Sequence, residues 1–406
     1  MPLFGINAQC GQGAQLVKLA LARQDGENKV AAARRNFAMS EQMEMVRETI
    51  GEHEIVAPPA AAREGSVPAI PDDKEMLRAA VELTRDISEA RPEIYWPDTF
   101  ISAAIGYAGL AGAILLHGWQ AWAAGAVAVF ALYRALLFIH ELTHIHRNAL
   151  PGYRFAWNLL VGIPMLTPSF MYEGVHTLHH QRTRYGTIED PEYLPLALMK
   201  PWALPSFILI ALFLPIGLLL RFAVLVPLGA VIPPLRRFVW ARFSGLSINP
   251  WYRRRPVEGE FATMVRWQEA GGAVWALTLL ASIQVVGWRP LLIALAVISA
   301  TAVLNQIRTL VAHLWENEGE AITVTAQYLD SVNVPPPELL SPLWAPVGLR
   351  YHALHHLLPS LPYHSLGEAH RRLMERLGVG STYAKASYPG LGYMIGRVYR
   401  ATKRSA

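Results

Sequence analysis

The sequence predicts an all-α integral membrane protein. It has about four transmembrane helices in two hairpins, a further membrane-embedded or interfacial hairpin, and a cytoplasmic helical cap that carries clustered histidines. Three observations carry this expectation. Of 406 residues, 52% are hydrophobic and only 17% are charged, a balance typical of chains that bury themselves in lipid. The apolar residues gather in blocks after Pro97, several long enough to cross a bilayer. Histidines cluster beyond the ends of those blocks, in His140-Glu-Leu-Thr-His144, His176-Thr-Leu-His179-His180 and His352-Ala-Leu-His355-His356. Spacings of three and four residues place side chains on one face of a helix.

Residues 1–96 are polar and read as a cytoplasmic tail or cap. Asp25–Ile50 has helical character with mixed faces. The stretch 58–73 is a flexible linker by composition. Lys74–Ala90 reads as an amphipathic helix, with Met76, Leu77, Ala80, Val81 and Leu83 on or near one stripe. Residues 97–375 form the membrane and metal-binding domain, and 376–406 a cytoplasmic extension. Thr99–Leu116 spans the bilayer, Gly118-Trp119 turns, and Gln120–Ile139 returns directly into His140. Arg134, late in that second span, either snorkels to the interface or joins the metal-site network. Phe155–Phe170 is broken by Gly162, Pro164 and Pro168, so it reads as re-entrant or surface-bound. Pro201–Pro233 is apolar but short of the roughly forty residues two full spans require, hence the membrane-embedded hairpin or interfacial helix. Gly271–Gly287 and Leu291–Leu310 make the last hairpin, which runs into His313.

Parity tests this layout. All histidine groups must meet on one side. Two spans before His140 and two before His313 satisfy that, provided Pro201–Pro233 begins and ends on the same side. Arg147, Arg154, Arg182, Arg184, Arg236, Arg237, Arg242 and Arg253–Arg255 fall in loops on that side. By the positive-inside rule the metal side and both termini are cytoplasmic.

One cysteine, Cys10, excludes internal disulfides and thiolate-bound clusters within this chain, so nitrogen and oxygen must hold the metal. Eight imidazoles are too many for one ion and suit two. Paired redox metals at a membrane surface point to oxygen activation, since attack on an unactivated C–H bond is beyond any side chain. The net charge of +5 suits anionic headgroups or acidic carriers, and no nucleic-acid motif accompanies it.

The pattern resembles the membrane fatty-acid desaturase/hydroxylase family over about residues 95–375. The resemblance rests on the three histidine boxes, on Asp190-Pro191-Glu192 after the second, and on Leu357-Leu358-Pro359-Ser360-Leu361-Pro362-Tyr363 after the third. It implies two iron ions, O2 as co-substrate and two electrons, acting on an acyl lipid carried as acyl-CoA, acyl carrier protein or phospholipid. It implies His313 as a ninth ligand beside His140, His144, His176, His179, His180, His352, His355 and His356. Some members carry asparagine four residues before that ninth histidine; here Thr309 stands, with Asn305 nearby. The first box begins His-Glu rather than His-Asp, a form alkane hydroxylases share. No cytochrome b5-like His-Pro-Gly-Gly segment is present, so electrons must come from a separate ferredoxin, rubredoxin or cytochrome b5 type donor with its reductase.

Asp190, Glu173, Glu141, Asn305 and Thr309 are expected around the ligands, with Glu192, Glu269 and Glu316 either orienting imidazoles or solvated. Gly162, Gly271 and Gly272 either line an acyl channel or serve close helix packing. His53, His117, His146, His364 and His370 are expected to stand apart from the metals. The favoured activity is fatty-acyl desaturation, with lipid hydroxylation as the alternative. Two other classes compete. An intramembrane zinc protease would use His140-Glu-Leu-Thr-His144 as its HExxH box, with Glu141 as base. A metal transporter or sensor would place its site near the bilayer midplane.

Overall fold

The computed structural model describes residues 70–404. The Asp25–Ile50 helix, His53 and most of the 58–73 linker lie outside the described residues. Secondary structure among the described residues is helical, and the only strand-like pairing is three isolated bridges.

Helix α1, Lys74–Thr84, begins at Asp73, whose carboxylate accepts from the Glu75 and Met76 backbone N–H groups, a standard N-cap. Met76, Ala79 and Ala80 share a core with Ala353, Leu354 and Leu373 of the third-box region. The amphipathic stripe expected from sequence is therefore buried against the metal-bearing cap.

Helices α2 (Pro92–Leu115) and α3 (Gly118–His144) form the first hairpin. They pack with little space between their backbones. A Cβ at Gly109 would stand 2.8 Å from the Ala128 nitrogen, the close approach that small residues permit in membrane helices. Arg134 is held within the hairpin: its Nε and Nη2 donate to Asp98 at 2.7 and 2.5 Å, and Tyr363 donates to the same carboxylate at 2.7 Å.

Past the short α4 (Tyr153–Trp157), the segment read as a membrane-embedded hairpin or interfacial helix, Pro201–Pro233, holds one helical run, α5 (Ala203–Val231). Its prolines do not split it. Pro215 and Pro227 stand at first-turn positions of helical pieces, where a missing N–H costs little. A 3₁₀ turn at Ile210–Phe213 and a π turn at Arg221–Leu225 absorb the lost bonds. The reversal falls at Ile232, in extended conformation, and α6 (Pro233–Phe243) folds back so that a Cβ at Gly229 would lie 3.4 Å from Arg236 Cα.

Helices α7 (Gly259–Val286) and α8 (Trp288–Leu310) form the last hairpin, turned at Gly287 with φ 74°. Helix α7 starts twelve residues earlier than the apolar block implies, because Phe261 and Val265 pack with Phe170 and Phe222. Helices α2, α3, α5, α7 and α8 are each long and apolar enough to cross a membrane. Beyond α8 the cap holds α9 (Val324–Asp330), α10 (His352–Leu357), α11 (Leu366–Leu377) and α12 (Leu391–Arg404).

Candidate metal centre

Four separate pieces of chain deliver the histidines. His140 and His144 occupy the last turn of α3, so a helix that begins far from the site carries them. The second box forms a single turn, His176–His179, entered through Gly174 at φ 71°, a conformation glycine adopts without strain. The third box is α10. His313 follows α8 and is fixed by the chain around it. Leu314 N donates to Asp330 O and Val332 N to Ala312 O, while Ala353 N donates to Val332 O. That short ladder sets His313 beside His352.

The nine imidazoles divide into two groups. His140, His144, His176, His180 and His355 form one, and His179, His313, His352 and His356 the other; within each, one ring nitrogen per residue lies within 4.8 Å of all the rest. Neighbouring Nε2 atoms face each other at 3.0 Å (His176 and His180) and 3.1 Å (His180 and His355) in the first group. In the second they do so at 3.3 Å (His179 and His313), 3.0 Å (His313 and His352) and 3.1 Å (His352 and His356). Imidazoles bound to one ion at about 2.1 Å stand roughly 3.0–3.4 Å apart along an octahedral or tetrahedral edge. Two all-nitrogen sets at this spacing fit two transition-metal ions such as iron.

Outward-facing ring nitrogens are fixed by a second layer. Asp190 lies 2.9 Å from His179 Nδ1. His176 Nδ1 meets Glu192 at 3.0 Å and the Tyr172 hydroxyl at 2.9 Å. His313 Nδ1 meets Tyr185 at 2.8 Å and Ser331 at 3.2 Å, and His356 Nδ1 meets Gln327 at 2.9 Å. Where the partner accepts from Nδ1, at His176, His179 and His313, it fixes the tautomer that leaves Nε2 free for metal.

Burial dominates the electrostatics. It holds His176, His180, His313, His352, His355 and His356 well below the ordinary imidazole pKa, with neighbouring imidazoles adding to the effect. These rings stay neutral, the form that binds metal. At His179 burial pulls the same way, but the Asp190 carboxylate outweighs it and raises the pKa. Burial pushes Glu192 and Asp330 up to about 7.

Asp190 thus stands against the outer nitrogen of a cluster histidine. Glu173 does not reach a ligand: it pairs with Arg154 at 2.5 Å. Glu141 accepts from the Tyr95 hydroxyl at 2.5 Å and from Tyr363 N at 3.0 Å, and stands 3.7 Å from His140 Nδ1. A carboxylate so engaged is not a free base for peptide hydrolysis, and both box histidines belong to a five-histidine group. Asn305 and Thr309 make no side-chain hydrogen bond to His313 among the described residues; Tyr185 and Ser331 take that place. Tyr172, Tyr185, Gln327, Ser331 and Asp330 carried no sequence signal, because they reach the site from stretches outside the histidine boxes, the last three from α9 and its C-terminal end.

The three glycines are in tight packing. A Cβ at Gly162 would stand 2.7 Å from Trp157, at Gly271 2.8 Å from Ile163, and at Gly272 2.6 Å from Phe222. His146 accepts from Asn148 N, His364 from Arg91 N, and His370 pairs with Tyr383, all outside the two clusters.

Comparison with known proteins follows the same line. The fatty acid desaturase family profile matches residues 117–385. A ceramide hydroxylase of Caulobacter vibrioides (strain NA1000 / CB15N) is 47% identical over 335 residues, covering 82% of this chain and 95% of that protein. No solved structure matches. With both histidine clusters inside the matched region, the chain belongs to the fatty acid desaturase family and is an oxidoreductase of its desaturase/hydroxylase kind.

Proposed function

We propose that this protein is an O2-dependent di-iron hydroxylase of a ceramide. Hydroxylation replaces the acyl desaturation favoured by the sequence alone. The observation that carries the reading is the 47% identity to a ceramide hydroxylase along nearly the whole of that relative.

The reaction balances as R–H plus O2, two electrons and two protons giving R–OH and water. Iron, when bound, supplies the oxidant for an unactivated C–H bond. The chain's own residues hold and orient the centre. His140, His144, His176, His180 and His355 take one ion, and His179, His313, His352 and His356 the other. Asp190 and Glu192 direct the Nε2 lone pairs of His179 and His176 inward. Phe138, Leu142 and Val311 form a dry core close to the site, which excludes water from the oxidation.

Electrons come from a separate ferredoxin, rubredoxin or cytochrome b5 type donor, because one cysteine cannot ligate a cluster. Although α5 is long enough to cross, Arg254 beyond it donates to Glu173 O beside the second box, so the chain after α5 stays on the metal side, and the arginine-rich loops support a cytoplasmic site and cytoplasmic termini.

The test is lipid mass spectrometry of a ceramide-producing host with and without the gene. Hydroxylation adds about sixteen mass units and desaturation removes about two. A ceramide pool that loses two units, or that does not change while free fatty acids do, overturns the reading.

A further inference from the structure

Beside the second cluster lies a small cavity lined by Arg308, Trp344, Arg350 and His352, with aliphatic side chains completing its walls and no acid among them. Arg350 is satisfied: its Nε donates to Val334 O at 2.7 Å and its Nη2 to Glu338 O at 3.1 Å. Arg308 is not. It is only 7% exposed, yet its Nε has no partner, and its guanidinium forms no ion pair or hydrogen bond among the described residues. A buried guanidinium N–H without a partner is costly and calls for an acceptor.

Two other lining atoms are in the same condition. Trp344 Nε1 and His352 Nδ1 are buried without partners. The indole N–H can only donate. His352 turns Nε2 toward His313 and His356, so with Nε2 on a metal its Nδ1 carries the proton and donates too. The cavity therefore presents donors from three side chains and no side-chain carboxylate. Its natural guest is an oxygen with lone pairs and no hydrogen of its own. A hydroxyl would bring a donor that finds no acidic acceptor, whereas a carbonyl oxygen accepts from two of the three with its two lone pairs.

We propose that Arg308 and Trp344 hold the amide carbonyl of the N-acyl lipid, and that the oxidised carbon consequently lies close to the amide rather than at mid-chain. This rests on the ceramide reading above. A group touching both Arg308 and His352 lies within roughly 7 Å of a metal held by His352 Nε2. At about 1.2 Å per bond of extended chain, that reach is roughly six bonds.

The experiment uses full-length, iron-loaded protein in lipid nanodiscs with a reductant system and a short-chain ceramide. Tandem mass spectrometry should place the new oxygen within about six bonds of the amide. Arg308→Met should raise KM at least tenfold with iron content unchanged, and Arg308→Lys should recover part of the loss. An uncharged analogue whose amide is replaced by an ether, and so lacks the carbonyl, should be discriminated against by the wild type and not by Arg308→Met. The ceramide should also raise the Tm of the wild type but not of Arg308→Met, a reading independent of turnover. Discrimination by the wild type is read without any variant, and its absence overturns the proposal even if Arg308→Met misfolds.

Oxygen at mid-chain, or equal discrimination by wild type and Arg308→Met, overturns the proposal and leaves ceramide hydroxylation standing. Free fatty acid bound as well as ceramide assigns the cavity to a carboxylate and overturns the amide contact. A double bond near the amide instead of a hydroxyl overturns hydroxylation while supporting the contact.

Discussion

The two histidine clusters are built on opposite economies. The five-histidine cluster has a ligand to spare and a thin outer layer: His176 is buttressed by Glu192 and Tyr172, but His140 Nδ1 and His180 Nδ1 have no partner. The four-histidine cluster has no ligand to spare and a dense outer layer. Asp190, Tyr185, Ser331 and Gln327 fix three of its four rings, and Asp330 in turn accepts from Tyr185 and Tyr193 at 2.7 and 2.9 Å. All four of its histidines are buried, whereas His144 and His180 of the other cluster are partly exposed. One metal position is secured by redundancy, the other by support.

The largest effect should come from removing a ligand where none is spare. His313→Ala leaves three imidazoles and should retain about one iron per chain instead of two, with turnover lost. His144→Ala leaves four in its cluster, enough for an ion. It should keep about two irons and reduced turnover. Metal analysis of both variants decides the contrast, and equal iron loss in the two would break it. Asp190→Asn comes next, because the carboxylate both orients and charges its ring. Metal affinity at that cluster should fall about ten- to a hundredfold, read by competition with a chelator. Glu192→Gln should cost less than about tenfold, since Tyr172 still reaches His176 Nδ1. Gln327→Leu should be mildest, as a neutral amide is a weaker partner than a carboxylate. An order in which Gln327→Leu exceeds Asp190→Asn would show that charge does not support the four-histidine site.

The boxes were legible because metal chemistry imposes spacing on a helix turn, and His140, His176 and His352 each start such a turn. His313 was legible only by its place after α8. The supporting residues were not, with the exceptions of Asp190 and Glu192, which lie ten and twelve residues past the second box. Gln327 meets His356 across 29 residues and Tyr185 meets Asp330 across 145, contacts that no local pattern records. Glu173 shows the converse. It stands three residues before a box and still turns to Arg154, because Arg154 reaches it from the other side. That Pro201–Pro233 is one helical run up to Ile232 rather than a mid-segment hairpin has a similar cause. A proline ends a helix only where its missing N–H is needed, and here neighbouring turns of altered pitch accommodate it.

Helix α3 has a consequence for how this family member can vary. His140 and His144 are the far end of an unbroken 27-residue helix that starts at Gly118, and its contact with α2 through Gly109 leaves it no freedom to roll. One residue inserted between Gly118 and His140 would turn both imidazoles by about 100° and advance them about 1.5 Å. Phase, not composition, is the quantity this helix conserves. Lipid-facing side chains such as Trp122 and Val127 can be exchanged freely, but the count of residues cannot. Loops between the other histidine-bearing segments carry no such constraint, so length variation in relatives should collect there and spare α3.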